Sequence, residues 1–488
     1  MEKALTLPEI KSNIGRFLCI KDLVTCTLIS KTWYESMLPW LWRFFQVPKD
    51  ERQIEYFTLH KLMLRNGPLI RNLLVTRVPR FIDIFTNCNQ LESLECRGRL
   101  FDDCDFNLSV LYLVQKCRAS LTRFIQGYGI RLSTETLIHA LDCPKLDWVE
   151  IRAIDLVGDA LWDSVTRLCM RVHRLSINYI HLPENCTIPW TAGTVFPNLE
   201  HLTALGTQQV LALEVASRSP NLKYLHINVA KSGVGHLVET LPFYPKLQVL
   251  VLDECRQIRS KDMVELLDAL PPMKSIQYDC ALTTLHPLFP TYYASLQRHF
   301  DTIQEITLSH QWRLVSPLAI LCSCPNLRAL TGGLIDCRAV LCGSPWVCTG
   351  LRLFRVSLDL RIMAIGITFV IRIFCSQLAH LQQLQVLDLS VSSPYRSTHM
   401  TGSWLRLGNG LEHLKSLKML QQCSLVNWTL NLEAEDIEWI RTHWPNFWGL
   451  RGRLHDNPRQ NEQLWKLCEK YGIHYNIIRS KSLDFVDL

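Results

Sequence analysis

One spacing recurs along the chain: an apolar residue, two variable positions, a second apolar residue, one variable position and a third, usually apolar, residue. The clearest copies are Leu222, Leu225 and Ile227; Leu247, Leu250 and Leu252; and Leu384, Leu387 and Leu389. Weaker copies begin at Ile70, Leu91, Leu121, Leu146, Val172, Leu199, Met273, Ile303, Leu327, Leu351, Leu414 and Phe447, giving fifteen starts that lie 21 to 33 residues apart. The third position fails only at Gln126, Gly332 and Gly452. Each copy predicts a short strand, because its last two apolar residues alternate with variable ones and so share one face.

A second regularity lies outside that pattern. Pro68, Pro144, Pro197, Pro220, Pro245, Pro271, Pro325 and Pro445 each stand two positions before a first apolar anchor, and asparagine (Asn198, Asn221, Asn326, Asn446) follows four of them. Proline cannot continue a helix and asparagine favours turns, so this is where a helix returns to a strand. Between strands the apolar spacing becomes helical, as in Met263, Leu266, Leu267 and Leu270 behind a candidate cap at Ser260. Such a period is that of leucine-rich repeats. The predicted fold class is therefore α/β: a leucine-rich-repeat solenoid, a curved parallel sheet with outer helices, since one unit cannot bury its own apolar face and must stack on the next. Leu182 to Phe196 reads as a longer surface connection, Gln463 to Tyr471 as a helix capping the last repeat, and Ser480 to Leu488 as a loosely held tail.

Residues 1–46 follow a different pattern. Ile10, Ile14, Phe17 and Leu18 form a helical stripe after Pro8, a second apolar cluster follows Asp22, and Ser30 is placed to cap a third helix carrying Trp33, Met37 and Leu38. Three short helices make a poor independent core, so this module has apolar surface to spare for a partner. Leu7-Pro8-Glu9-Ile10, Ile14, Leu18, Asp22-Leu23, Cys26, Ile29-Ser30-Lys31, Trp33 and Leu41-Trp42-Arg43 resemble the F-box motif in order and spacing, over roughly residues 5 to 45. The chain is thereby similar to F-box proteins with C-terminal leucine-rich repeats, of the fungal type. It departs from many members in lacking a residue between the proline and the glutamate.

The resemblance implies a substrate-recognition adaptor of an SCF-type cullin-RING ubiquitin ligase. The module, 1–46, would dock on the Skp-type linker through Leu7, Pro8, Ile10, Ile14, Leu18, Leu23, Val24, Ile29 and Trp33, of which Ile29 and Trp33 either reach the linker or hold the helices together. The solenoid, 47–454, would hold a protein substrate, and 455–488 would form a C-terminal cap and tail. Ubiquitin transfer would belong to other subunits. Two rivals are a non-degradative interaction scaffold and an enzyme built on the repeats.

Strand alternation names the inner face of the solenoid, at two, four and six residues past each anchor. Early repeats place Arg97, Arg123, Trp148, Arg152, Arg174, His201, Tyr224 and His226 there; the middle gives Asp253, Asp279 and Glu305, and the end Arg355, Lys418, Arg451 and Arg453. This is either ordinary solvated surface or a binding face whose basic, aromatic start suits an acidic or phosphorylated segment.

Composition narrows the remaining options. The chain has 488 residues, 48% of them apolar, and 52 basic residues against 45 acidic ones. That balance predicts a folded protein with no need of nucleic acid, and no basic run or nucleic-acid motif occurs. Nineteen cysteines and a polar start predict a reducing compartment, cytoplasmic or nuclear. The most membrane-like run, Ile362 to Ile371, is half the length that a bilayer needs and reads as a buried helix. Cys322, Cys324, Cys337, Cys342 and Cys348 crowd one segment. However, Cys88, Cys143, Cys169, Cys324 and Cys348 share a place three before an anchor, which suits burial in the solenoid wall and not a metal site. No phosphate-cradling loop, nucleophile elbow or paired-histidine metalloprotease motif appears, so neither catalysis nor a cofactor is expected.

Overall fold

The computed structural model describes residues 7–47, 56–75, 82–97, 104–127, 129–152, 159–180, 182, 188–191, 193–229, 233–253, 258–278, 289–308, 317–342, 344–359, 367–391 and 406–475. The tail expected at 480–488, Asp279, and the first half of the 362–371 run lie outside them. The chain forms two compact units, Met1–Asn228 with Pro242–Lys246, and Val229–Leu241 with Leu247–Leu488.

The first unit opens with α1 (Pro8–Gly15), α2 (Ile20–Thr27) and α3 (Lys31–Arg43), followed by β1 (Phe44–Gln46). Pro8 occupies the first turn of α1, and the Trp33 amide donates to the Ser30 hydroxyl at 3.3 Å, so both expected helix starts hold. Then come α4 (Tyr56–Asn66), β2 (Asn72–Val75), β3 (Ser93–Cys96), α5 (Cys104–Lys116), β4 (Arg123–Gln126), α6 (Thr134–Leu141), β5 (Trp148–Arg152), α7 (Asp159–Cys169), β6 (Arg174–Asn178), β7 (His201–Ala204), α8 (Gln209–Ser217) and β8 (Tyr224–Asn228). β1 to β8 pair in parallel, each with the next.

The second unit contains α9 (Val234–Thr240), β9 (Val249–Asp253), α10 (Ser260–Ala269), β10 (Ser275–Tyr278), α11 (Phe289–Gln297), β11 (Glu305–Thr307), α12 (Pro317–Ser323), β12 (Ala329–Asp336), α13 (Cys337–Cys342), β13 (Leu353–Asp359), α14 (Ile367–Leu378), β14 (Val386–Val391), β15 (Gln422–Thr429), α15 (Ala434–His443), β16 (Gly449–Arg453), α16 (Pro458–Lys470) and β17 (His474–Tyr475). These strands too are parallel and paired in sequence. Each unit is thus a run of leucine-rich-repeat turns, strand to helix to strand.

The anchors are the core. Leu222, Leu225 and Ile227 are fully buried, as are Leu384, Leu387 and Leu389. The asparagines that follow the prolines have a second role: each side-chain amide donates to a carbonyl of the preceding repeat. Asn198 reaches Met170 at 2.9 Å, Asn221 reaches Pro197 at 2.7 Å, Asn326 reaches Asp301 at 2.7 Å and Asn446 reaches Lys418 at 3.0 Å. Met170, Pro197 and Asp301 each stand two residues before an anchor.

Lys418 keeps that rule only if the anchor is Leu420, and the strand agrees. β15 begins at Gln422, with Cys423 and Leu425 buried, while Leu414 lies in the 3-10 turn Leu411–Ser416. The copy expected from Leu414 is therefore six residues early. Leu417 is the wall residue three before the anchor, where other repeats carry cysteine, and Leu414, Leu417 and Leu420 repeat the same spacing. Lys418 consequently precedes the strand and does not lie on its face.

The three failures of the third position also have causes. Gln126 is fully buried, and its amide N–H donates to the Ile130 carbonyl at 2.7 Å, while its Oε1 has no partner among the described residues. Gly332 has φ +80° and lies where β12 bulges; a Cβ there would meet the Leu308 carbonyl oxygen at 1.8 Å. Gly452 has φ +147° and faces the Leu425 carbonyl in the same way, at 2.9 Å. The pattern also extends further than expected: Phe45 pairs in register with Leu73, making Trp42, Phe45 and Val47 a copy at the end of the helical module.

Other expectations resolve locally. Ser260 is the first residue of α10, Arg259 occupies the cap position, and no side chain caps that helix. The apolar run survives as α14, with Val370, Ile371, Phe374, Cys375 and Leu378 buried. No helix is long and apolar enough to cross a membrane, among the described residues. The second half of the 182–196 connection is anchored, since Trp190 is buried edge-on between Trp162 and Phe196 and donates to the Thr166 hydroxyl at 2.7 Å. The helix expected at 463–471 is the latter part of α16.

Two predictions follow from these close contacts. Gly332→Ala combines a left-handed φ with a backbone clash, and should cost about 3 kcal/mol in a denaturant titration. Gly350→Ala, with nothing within 4 Å of its added methyl, should change little. The wall cysteines give the second test. Burial raises the thiols of Cys88, Cys169 and Cys348 to about 12 and that of Cys143 to about 11. At pH 8 they are therefore protonated as well as inaccessible. Iodoacetamide with peptide mapping should label exposed Cys19 and leave these four unmodified until the protein unfolds; labelling of Cys169 at the rate of Cys19 would contradict the packing.

Candidate functional site

Two surfaces stand out, both in the first unit. The first is the outer side of the helical module. Inside it, α1 packs so closely on α3 that a Cβ at Gly15 would lie 2.5 Å from Trp40. Lys11 is buried, its ammonium donating to the Thr32 hydroxyl at 2.9 Å and lying 5.6 Å from the centre of the Trp33 ring. Leu23 is also buried, and Met37 fully so.

What remains outside is apolar. Of the residues expected to meet a linker, Leu7, Pro8, Val24 and Ile29 are exposed, Ile10, Ile14, Leu18 and Trp33 are half-buried, and Leu23 faces inward. Phe17 (83% exposed), Leu28 (82%) and Ile20 (63%) were not among them, yet they are more exposed than Leu7, Val24 or Ile29. Helix ends explain this: Phe17 and Leu28 fall just beyond α1 and α2, where helical spacing no longer says which way a side chain points.

The module is held to the first repeats by polar contacts as well as by β1. Arg43 lies 5.1 Å from the centre of the Trp40 ring and pairs with Glu92 at 3.2 Å; Arg71 approaches the same carboxylate at 4.0 Å, and the Trp40 indole N–H donates to Ser12 at 3.1 Å. These residues, with Pro39 and Leu69, line a cleft of about 180 Å³.

The second surface is the half-exposed face of β3 to β8. Strand register places Arg123, Trp148, Arg174, His201 and Tyr224 in one row across five neighbouring strands. The Arg123 guanidinium lies 3.8 Å from the centre of the Trp148 ring, and that of Arg174 5.5 Å. His201 stacks on Tyr224 at 5.6 Å, and His226 meets Tyr224 edge-on at 6.4 Å. Burial, followed by the Arg174 charge, lowers the pKa of His201, so its ring stays neutral at physiological pH. Arg123 is likewise lowered, mainly by burial, and its Nε has no hydrogen-bond partner.

The other two arginines of the early face are already paired. Arg97 contacts Glu95, and the Arg152 Nε donates to Glu150 at 2.7 Å. Both carboxylates stand two residues before their arginines, and so on the same strand face. The early face is therefore less basic than its arginines alone imply, and its unpaired charge belongs to Arg123 and Arg174, which have no carboxylate within ion-pair distance among the described residues. In the second unit Arg355 is paired with Asp388 at 3.0 Å, and burial raises the pKa of Glu305. No group of three or more metal-ligating side chains converges, among the described residues.

No family model matches this chain. No curated protein matches it either. Among solved structures, it is similar to one described as the crystal structure of the Rad7 and Elc1 complex in yeast, at 12% identity over 80% of this chain and 91% of that one, with a TM-score of 0.41. That likeness is too distant to bear on activity, and the repeat architecture stands on the strands and anchors of the chain itself.

Proposed function

We propose that this chain is the substrate-recognition adaptor of an SCF-type cullin-RING ubiquitin ligase. The helical module docks on the Skp-type linker, the face of the repeats holds the protein to be modified, and the transfer chemistry belongs to other subunits. The observation that carries this reading is the apolar surface of the module. Leu7, Phe17, Ile20, Val24, Leu28 and Ile29 are all at least 43% exposed within the first 29 residues. Exposed apolar side chains so concentrated mark a docking surface. The F-box landmarks in the sequence say which partner it suits. The contacts of Arg43 and Arg71 with Glu92, and the pairing of β1 with β2, fix the module against the first repeats, as an adaptor needs if it is to hold linker and substrate at a set distance.

The test replaces outward residues only. Phe17→Asp with Ile29→Asp should leave stability within about 0.5 kcal/mol, because both side chains are already in water. It should reduce linker co-purification by about thirtyfold or more, the effect of losing one or two central apolar anchors. Leu23→Asp should instead unfold the module. Undiminished linker capture by the Phe17/Ile29 variant would overturn the assignment.

A further inference from the structure

The apolar surface of the helical module carries a charge pattern of its own, which limits what a partner can present around its apolar contacts. Between Lys11 and Lys31, the stretch that holds Phe17, Ile20, Val24, Leu28 and Ile29, the chain has four cations and one carboxylate, Asp22. Asp22 accepts the Cys19 thiol at 3.0 Å and forms no ion pair among the described residues. Arg16, Lys21 and Lys31 are exposed, and none of them makes an ion pair or a side-chain hydrogen bond among the described residues. Arg16 precedes Phe17, Lys21 follows Ile20, and Lys31 comes two residues after Ile29. Two of these cations stand where a helix opposes them: Lys21 lies in the first turn of α2 and Lys31 is the first residue of α3, and free amide groups make a helix start positive. At α3 the excess is greater, because its first turn has no acidic residue and the buried Lys11 ammonium is bonded there, to the Thr32 hydroxyl. Positive charge is thus gathered at the helix start that follows Leu28 and Ile29, with no carboxylate paired to it among the described residues.

From this pattern we infer that the linker meets the module through an apolar hollow bordered by carboxylates, one of them set against Lys31 at the start of α3, and that these charges speed and orient docking. Opposite charges around an apolar contact steer the encounter and fix its register more than they add affinity. They also offset the local repulsion that the free module carries. An anionic membrane suits mixed apolar and basic side chains too, but fits this arrangement less well. An interfacial helix lays one continuous apolar face into the bilayer. Here Phe17, Ile20, Leu28 and Ile29 stand at or just beyond the ends of two eight-residue helices, and three exposed cations are few for lipid attraction.

The inference rests on the reading of the module as the linker-docking surface. The purified full chain is immobilised, and association with a purified Skp-type linker subunit is followed by biolayer interferometry. Vesicles of phosphatidylserine and phosphatidylcholine are run beside it. Raising salt from about 50 to about 500 mM should slow association about tenfold. Lys31→Glu should weaken binding about tenfold, mainly by slowing association, and Lys31→Gln about threefold. Lys145→Glu makes the same charge change at an exposed site between α6 and β5 and should stay within about twofold. In the free chain Lys31→Glu should hold or raise the melting midpoint, because an acidic side chain suits a helix start; a lysine kept only for packing would lower it. Lys31→Gln serves if the glutamate variant fails to fold by circular dichroism. Association indifferent to both salt and Lys31→Glu, an equal loss in Lys145→Glu, or tighter binding to the vesicles than to the linker would each overturn the inference. The Phe17/Ile29 variant separates the two readings: capture lost there but kept in the lysine variants counts against this inference alone, whereas no capture by the unaltered chain overturns both.

Discussion

A lone strand of this chain has a buried apolar edge and two rows of backbone groups that only the neighbouring repeats can satisfy. Parallel pairing in register meets both needs at once, because it aligns equivalent positions of successive repeats. Apolar anchors then fall on apolar anchors inside, and face residues fall into rows outside. The Arg123 to Tyr224 row is a product of that alignment: five residues separated by some hundred positions of sequence become lateral neighbours because each stands two past its own anchor.

The anchors were legible in the sequence wherever leucine or isoleucine filled all three places, since a spacing of three then two fits no helix face and is repeated too regularly for chance. It became ambiguous where apolar residues ran on at the same spacing. From Leu414 through Leu417 and Leu420 to Cys423 every third residue is apolar, and the true register is picked out by the pairing of Cys423 with Leu387 and by the amide of Asn446, bonded to Lys418. Glycines defeated the pattern for the opposite reason: at Gly332 the backbone of the preceding repeat already fills the space a side chain would need.

The candidate surfaces were legible in part. Alternation identified the face residues, and all eight early positions lie on or beside the strands as expected. Their effective charge was not legible from basic residues alone, because Glu95 and Glu150 share the face with Arg97 and Arg152 at the same two-residue interval that defines it. On the helical module, periodicity identified the stripe along α1, Phe17 included, but not how far Phe17 and Leu28 stand out, which is decided by how the chain leaves a helix. The buried Leu23 shows the converse: an apolar residue of the module can serve its exposed surface by supporting it from beneath.

The asparagine joints have a mechanical consequence. Each ties a repeat to its predecessor, and Asn221 also accepts from Lys246 of the following repeat at 2.7 Å. A chain coupled only to nearest neighbours responds to load or heat as a row of links, in which a loosened turn weakens the two beside it and leaves distant ones intact. The convex returns carry joints of their own, such as Asn107 to the Arg131 carbonyl at 3.3 Å and Arg298 to the Asp268 carbonyl at 2.6 Å, yet their length drifts, with Leu384 and Leu420 36 residues apart and Leu420 and Phe447 27 apart. Divergence in a chain of this kind can accumulate on its outer side while the spacing of the inner rows stays the same.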